Sequence, residues 1–174
     1  FVEGDWDWYW DQTQNNGEGC FWDPDGGGGA GACVFLAEDS MGRLVNHYYD
    51  WRMRDVWVEE VDSDGTPRRN TLTWYDNLDR VRLIVEYGGG LPSSLPMDPT
   101  ATTPDAPVPI DDDVDANSNG VADAIDALFS ATPRPLSATE TRYNGIGQPC
   151  EVRSYGWFDG DVEYTATQTE YDHA

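Results

Sequence analysis

Tyr-Asp with Arg four places after the Asp recurs along this chain, at Tyr49-Asp50-Trp51-Arg52-Met53-Arg54 and at Tyr75-Asp76-Asn77-Leu78-Asp79-Arg80. Decayed copies extend the series. Glu38-Asp39-Ser40-Met41-Gly42-Arg43-Leu44 keeps Asp, Gly and Arg, Tyr143-Asn144-Gly145-Ile146-Gly147-Gln148 keeps Tyr and Gly, and Tyr171-Asp172 begins a fifth copy. A recurring strand-and-turn unit constrains the fold strongly. Each unit buries little by itself, so copies stack into an elongated scaffold rather than enclosing a catalytic pocket.

Each of the first four copies is followed by a β-rich run: Leu44 to Tyr48, Val56 to Val61, Val81 to Tyr87 and Glu151 to Tyr155. Alternation in three of these runs predicts strands. One unit then reads as a hairpin. An aromatic strand enters, Asp accepts backbone N–H groups in the turn, Gly or Asn supplies positive φ, Arg exits and β-branched residues return. A lone hairpin is marginal. Stacked copies bury their aromatic faces and leave Arg and Glu outside or paired between rungs, which predicts an all-β stack of antiparallel hairpins.

The units resemble the YD repeats of RHS proteins, whose consensus is close to Tyr-Asp-x-x-Gly-Arg-Leu followed by a strand. Asp39 to Leu44 matches best at the turn and Tyr75 to Val81 best overall, while Met53 and Asp79 stand where that family has Gly. The spacing of the copies is irregular, which implies an insertion or a lost unit. The resemblance covers about residues 36–88 and 139–174. It implies a secreted bacterial protein, either complete in itself or one section of a longer RHS shell or stalk, which in that family encloses a toxin or stands on the cell surface. An ordinary antiparallel β-domain with chance Tyr-Asp pairs is the competing reading.

Composition divides the chain into five segments. These are a Trp- and Gly-rich arm (1–33), a first YD-like β-block (34–88), a Pro-rich linker (89–110), an acidic insertion (111–138) and a second β-block (139–174). In the arm, Trp6, Trp8 and Trp10 alternate with Asp5, Asp7 and Tyr9, so one face of a strand is a tryptophan ladder. Packing against the core or a neighbour suits that ladder better than stacking on a glycan, the use a carbohydrate-binding adhesin would make of it. Cys20 and Cys33 flank a Gly-rich stretch and could close a short disulfide, leaving Cys150 unpaired or joined to another chain; buried thiols are the alternative. Asp62-Ser63-Asp64-Gly65 reads as a hairpin turn.

The insertion carries the chain's most specific chemistry. With Asp115 at position 1 of a calcium loop, Asn117 stands at 3, Asn119 at 5, Gly120 at the turn, Val121 with its carbonyl at 7, Asp123 at 9 and Asp126 at 12. Hard oxygen ligands at alternate positions wrap such an ion. Asp113 is a candidate extra ligand. Asp at the last position and the lack of an entering helix depart from an EF-hand, and the loop looks more like those of dockerins and thrombospondin-type calcium repeats. Val121, Ile125, Leu128 and Phe129 predict a short helix that packs the loop onto the rest. A solvated acidic linker is the bland alternative.

The formal net charge of −23 includes no Lys among its ten basic residues. Such a surface repels nucleic acid and anionic membrane, and no run reaches the ~20 apolar residues of a membrane helix. His47 and His173 are the only histidines, and no nucleophile elbow, zinc motif or phosphate loop is present. Carboxylate pairs are plentiful, but 33 acids make them inevitable. No catalytic residue is expected. The chain begins at Phe1 and ends inside a repeat, which suggests a piece of something longer. The expectation is therefore an extracellular or cell-surface structural protein, stabilised by calcium and assembling head to tail with itself by strand complementation.

Overall fold

The computed structural model describes residues 18–20, 33–38, 44–50, 52–95, 115 and 120–171. The Trp6, Trp8 and Trp10 ladder and Asp113, Asn117 and Asn119 lie outside these residues. Among the described residues nine strands form one sheet: β1 (Glu18–Cys20), β2 (Cys33–Glu38), β3 (Leu44–Tyr49), β4 (Asp55–Val61), β5 (Pro67–Tyr75), β6 (Val81–Gly88), β7 (Ser137–Tyr143), β8 (Pro149–Phe158) and β9 (Asp161–Gln168). They lie in sequence order, and every neighbouring pair is antiparallel. One helix, α1 (Asp123–Ser130), falls between β6 and β7. The fold is thus all-β with a short loop-helix segment. Cys20 and Cys33 are direct cross-strand partners in backbone register.

Strand alternation sorts the sheet into two faces. On the inner face Leu72, Val85, Ala138 and Tyr155 stand opposite one another across four strands and are all buried. Helix α1 covers this face. Its Ile125, Leu128 and Phe129, one stripe at helical spacing, are fully buried in the same cluster as Leu72, Trp74, Leu83 and Tyr87. Asp123 and Asp126 sit in its first turn, where the helix dipole favours acid.

The long connection between β6 and β7 leaves the ladder intact, since Leu83 pairs with Glu140 and Val85 with Ala138. At its start, in the stretch with linker composition, Leu91 and Leu95 pack against the core.

Four connections share one backbone geometry: Asp50 to Arg54, Asp62 to Thr66, Asp76 to Arg80 and Asn144 to Gln148. In each, the first residue's N–H donates to the fifth residue's carbonyl at 2.9 Å, and the fourth residue's N–H returns to the first residue's carbonyl. The fourth residue takes positive φ: 62° at Met53, 82° at Gly65, 60° at Asp79 and 86° at Gly147. A register shift beside each turn marks a bulge. In a meander alternate connections fall at the same end. The Asp50, Asp76 and Asn144 turns therefore share one end of the sheet, and the Asp62 turn lies at the other.

Candidate functional site

The shared end carries a ladder of side chains that joins successive units. Asp50 Oδ1 accepts the N–H groups of Arg52 and Arg54 at 2.9 and 3.0 Å, while its Oδ2 takes Arg54 Nε at 2.7 Å and Nη2 at 2.6 Å. Asp76 repeats this with the N–H groups of Leu78 and Arg80 and with Arg80 Nε at 2.7 Å. Each carboxylate both closes its turn and fixes its Arg. Burial works to raise the Asp76 carboxyl, but the hydrogen bonds from Arg80 and Leu78 outweigh it and hold it below the usual range.

Each fixed Arg is then covered by the Tyr of the next unit. Arg54 lies 4.8 Å from the centre of the Tyr75 ring and Arg80 4.2 Å from that of Tyr143. The same tyrosines donate backward along the chain, Tyr75 to the carbonyl of Asp55 at 2.9 Å and Tyr143 to that of Val81 at 2.9 Å. Tyr171 donates to Pro149 at 2.8 Å, so it caps the Asn144 unit in the same manner. Neighbouring turns also touch directly. Arg52 and Arg54 both reach Asp79 Oδ1, at 3.0 and 2.8 Å.

The Asn144 turn is a neutral version of the device. Asn144 Oδ1 accepts from Ile146 and Gln148, and its Nδ2 donates to Gln148 Oε1 at 3.2 Å. Turn closure needs only the acceptor oxygen; the ion pair is an addition.

A second polar cluster lies on the inner face of β6 to β8. Glu140 is fully buried, accepts the Tyr155 hydroxyl at 2.7 Å and Arg142 Nε at 3.1 Å, and has Arg82 Nη2 3.5 Å away. Glu151 accepts Arg153 Nε at 3.1 Å and stands 3.4 Å from Arg142 Nε. Burial and Glu140 together push the Tyr155 hydroxyl well above its usual value. Two acids among three Arg residues form a compensated network, which is what a buried carboxylate requires. The sequence reading missed this cluster. Its signal was Glu140 at an inward position of a Thr-rich strand, in register with Leu83 and Arg153.

Of the predicted calcium ligands, the described residues place four. Asp115 Oδ2 accepts the Gly120 N–H at 2.8 Å, a bond from loop position 1 to position 6, and Gly120 takes φ 81°. Val121 follows, buried, and Asp123 and Asp126 open α1. Among the described residues no three His, Cys, Asp or Glu side chains gather as a ready metal group. The local geometry nonetheless suits a hard cation: an acceptor at position 1 folded back onto the turn glycine, then carboxylates in the first helical turn. When bound, calcium would be held by Asp115, Asp123, Asp126 and the Val121 carbonyl and would lower the local excess of negative charge.

Comparison with protein-family models, with curated proteins and with solved structures finds no match.

Proposed function

We propose that this chain is a structural protein of the YD-repeat type, an extracellular or cell-surface β-scaffold braced by calcium. The observation that carries the reading is the ladder in which each turn's Asp fixes an Arg and the next unit's Tyr covers it. That device joins one hairpin to the next and adds stiffness, with no pocket and no reacting group involved. Calcium at Asp115, Asp123 and Asp126 would fasten the long β6 to β7 connection, whose helix already supplies part of the core.

Polymerisation by strand addition is the assembly mode we favour. Strand β9 pairs with β8 on one side, and its residues other than Val162 are exposed. A second copy's strand adding to that edge would extend the sheet head to tail. Thermal unfolding and electron microscopy of the purified chain, with calcium and with a chelator, test both parts. A higher Tm and filaments in calcium are expected; identical unfolding in the two conditions would sink the calcium brace, and uniform monomers in both would sink the fibre. The second reading, a section of a longer RHS shell or stalk, rests on the same ladder and predicts a much larger native mass.

A further inference from the structure

The three cysteines of the chain lie on three different strands, and the order of the sheet decides which of them can meet. Cys20 ends β1, Cys33 begins β2, and the two are direct partners across an antiparallel pair. Such partners share a face of the sheet, with Cα atoms about 4.5–5.5 Å apart. A disulfide spans roughly 4.4–6.8 Å between Cα atoms, so this register suits one. Cys150 stands on β8, six strand positions from β2 and seven from β1. At about 4.8 Å per strand it is about 29 Å or more from either partner, far outside the reach of a bond within one chain. Its thiol donates to the Arg142 carbonyl instead, with the sulfur 3.6 Å from the oxygen.

We infer that Cys20 and Cys33 are joined by a disulfide that staples the edge strand β1 to β2, and that Cys150 remains the free thiol. The edge gives the physical reason. Strand β1 is three residues long and pairs with β2 alone, and so short a one-sided pairing holds a strand weakly. The connection from Phe21 to Ala32 weakens it further. Five of its twelve residues are Gly, which lose the most conformational freedom when a hairpin closes. A covalent link at the closing pair removes much of that freedom from the open state too. The bond thus keeps β1 as the outermost strand at the edge opposite β9, and it depends neither on calcium nor on assembly of copies.

Its formation needs a small-molecule disulfide such as oxidised glutathione. One thiolate of the pair attacks a sulfur of the oxidant, giving a mixed disulfide and one released thiol. The other thiolate then displaces the second half of the oxidant. Two protein thiols are oxidised to one disulfide, one oxidant disulfide is reduced to two thiols, and these carry away the two protons.

Thiol labelling of the full chain tests the proposal. The protein is reduced, equilibrated with oxidised glutathione under an excess of reduced glutathione so that isolated thiols stay reduced, quenched with acid and alkylated in denaturant. Intact mass is expected to show one alkylated thiol per chain, and protease mapping to place it at Cys150 and to recover one peptide pair linked through Cys20 and Cys33. Cys33→Ser is expected to raise the count to two. Cys150→Ser, far from the hairpin, is expected to lower it to zero with the same link present, and circular dichroism checks that both variants fold. Three alkylated thiols in the folded wild type, or any link that includes Cys150, would overturn the proposal. Because the buffer supplies the oxidant, the result stands apart from the extracellular and calcium readings above.

Discussion

Arg80 stacks on the ring of Tyr143 at 4.2 Å although the whole helical insertion separates them in sequence. The Tyr143 hydroxyl completes the contact by donating to the Val81 carbonyl. Tyr143→Phe removes only that hydrogen bond and is expected to cost about 1 kcal/mol. Tyr143→Ala also removes the cation–π contact and the half-buried ring, and about 2–3 kcal/mol is expected. Urea unfolding with an unchanged m-value is the check; equal losses for the two variants would deny the stacked Arg any part.

The Asp76 clamp sets an acid limit. Its carboxyl is held below the usual range despite burial, and Asp79, bonded to Arg52, is lowered as well. A depressed folded pKa contributes stability above the unfolded value that disappears as pH falls through the folded one. Stability should therefore drop below about pH 4. Asp76→Asn is expected to cost about 1–2 kcal/mol at neutral pH, since Asn144 shows that the turn closes without a carboxylate. The variant's acid limb should also be shallower, which a series of unfolding curves against pH reads directly.

Alkali should act through buried tyrosines. Burial, with Glu59 nearby, pushes Tyr48 up to about 12, and burial alone takes Tyr87 to about 12. A raised folded pKa contributes stability that is intact below the unfolded value and lost as pH rises through the folded one. The window is therefore about pH 10 to 12. Tyrosinate absorbance is expected to lag behind that of free tyrosine and to rise with unfolding; titration of all tyrosines near pH 10 in folded protein would contradict it.

Position four of the turns offers a stabilising change. Met53 holds φ 62° and is 61% exposed, where Gly147 holds the same region without strain. Met53→Gly is expected to stabilise by about 1 kcal/mol. Gly147→Ala should do the reverse by about 1–2 kcal/mol, because the added Cβ would sit 3.0 Å from Arg80 Nη1 at φ 86°. Paired shifts of Tm in opposite directions are the readout.

Glu140 is expected to be the most sensitive polar position. Glu140→Ala leaves Arg142, Arg82 and the Tyr155 hydroxyl without their shared acceptor, and about 3–5 kcal/mol should be lost. Tyr155→Phe, which leaves the ion pairs in place, should cost about 1–2 kcal/mol. Chemical denaturation of the two variants separates network from single bond.

The turn units were legible because their chemistry is local. Asp at the first place and positive φ at the fourth lie within five residues, so Asp50, Asp76 and even Asp62 could be read as turns before any partner was known. Helix α1 was legible for a similar reason, its apolar stripe standing at Ile125, Leu128 and Phe129. Strands β7 and β9 were harder. Their Thr- and Glu-rich runs carry a charge inward at Glu140 and bury only Val162 in β9, so alternation of apolar and polar residues is blurred. The linker composition of residues 89–110 likewise concealed Leu91 and Leu95, which pack on the core.

What the amino-acid order determined by itself is the hairpin unit: backbone acceptors, a left-handed position and an Arg in reach are all set within one turn. The calcium-loop expectation rests on spacing in the same way, and its first and sixth positions, Asp115 and Gly120, are joined by a hydrogen bond. Only the tertiary structure decided that Arg80 meets Tyr143 across an insertion and that Glu140 is buried among Arg side chains. These depend on which strands pair and in what register. A one-residue slip would turn every side chain of a strand to the other face, and register is set by long-range pairing rather than by any local pattern.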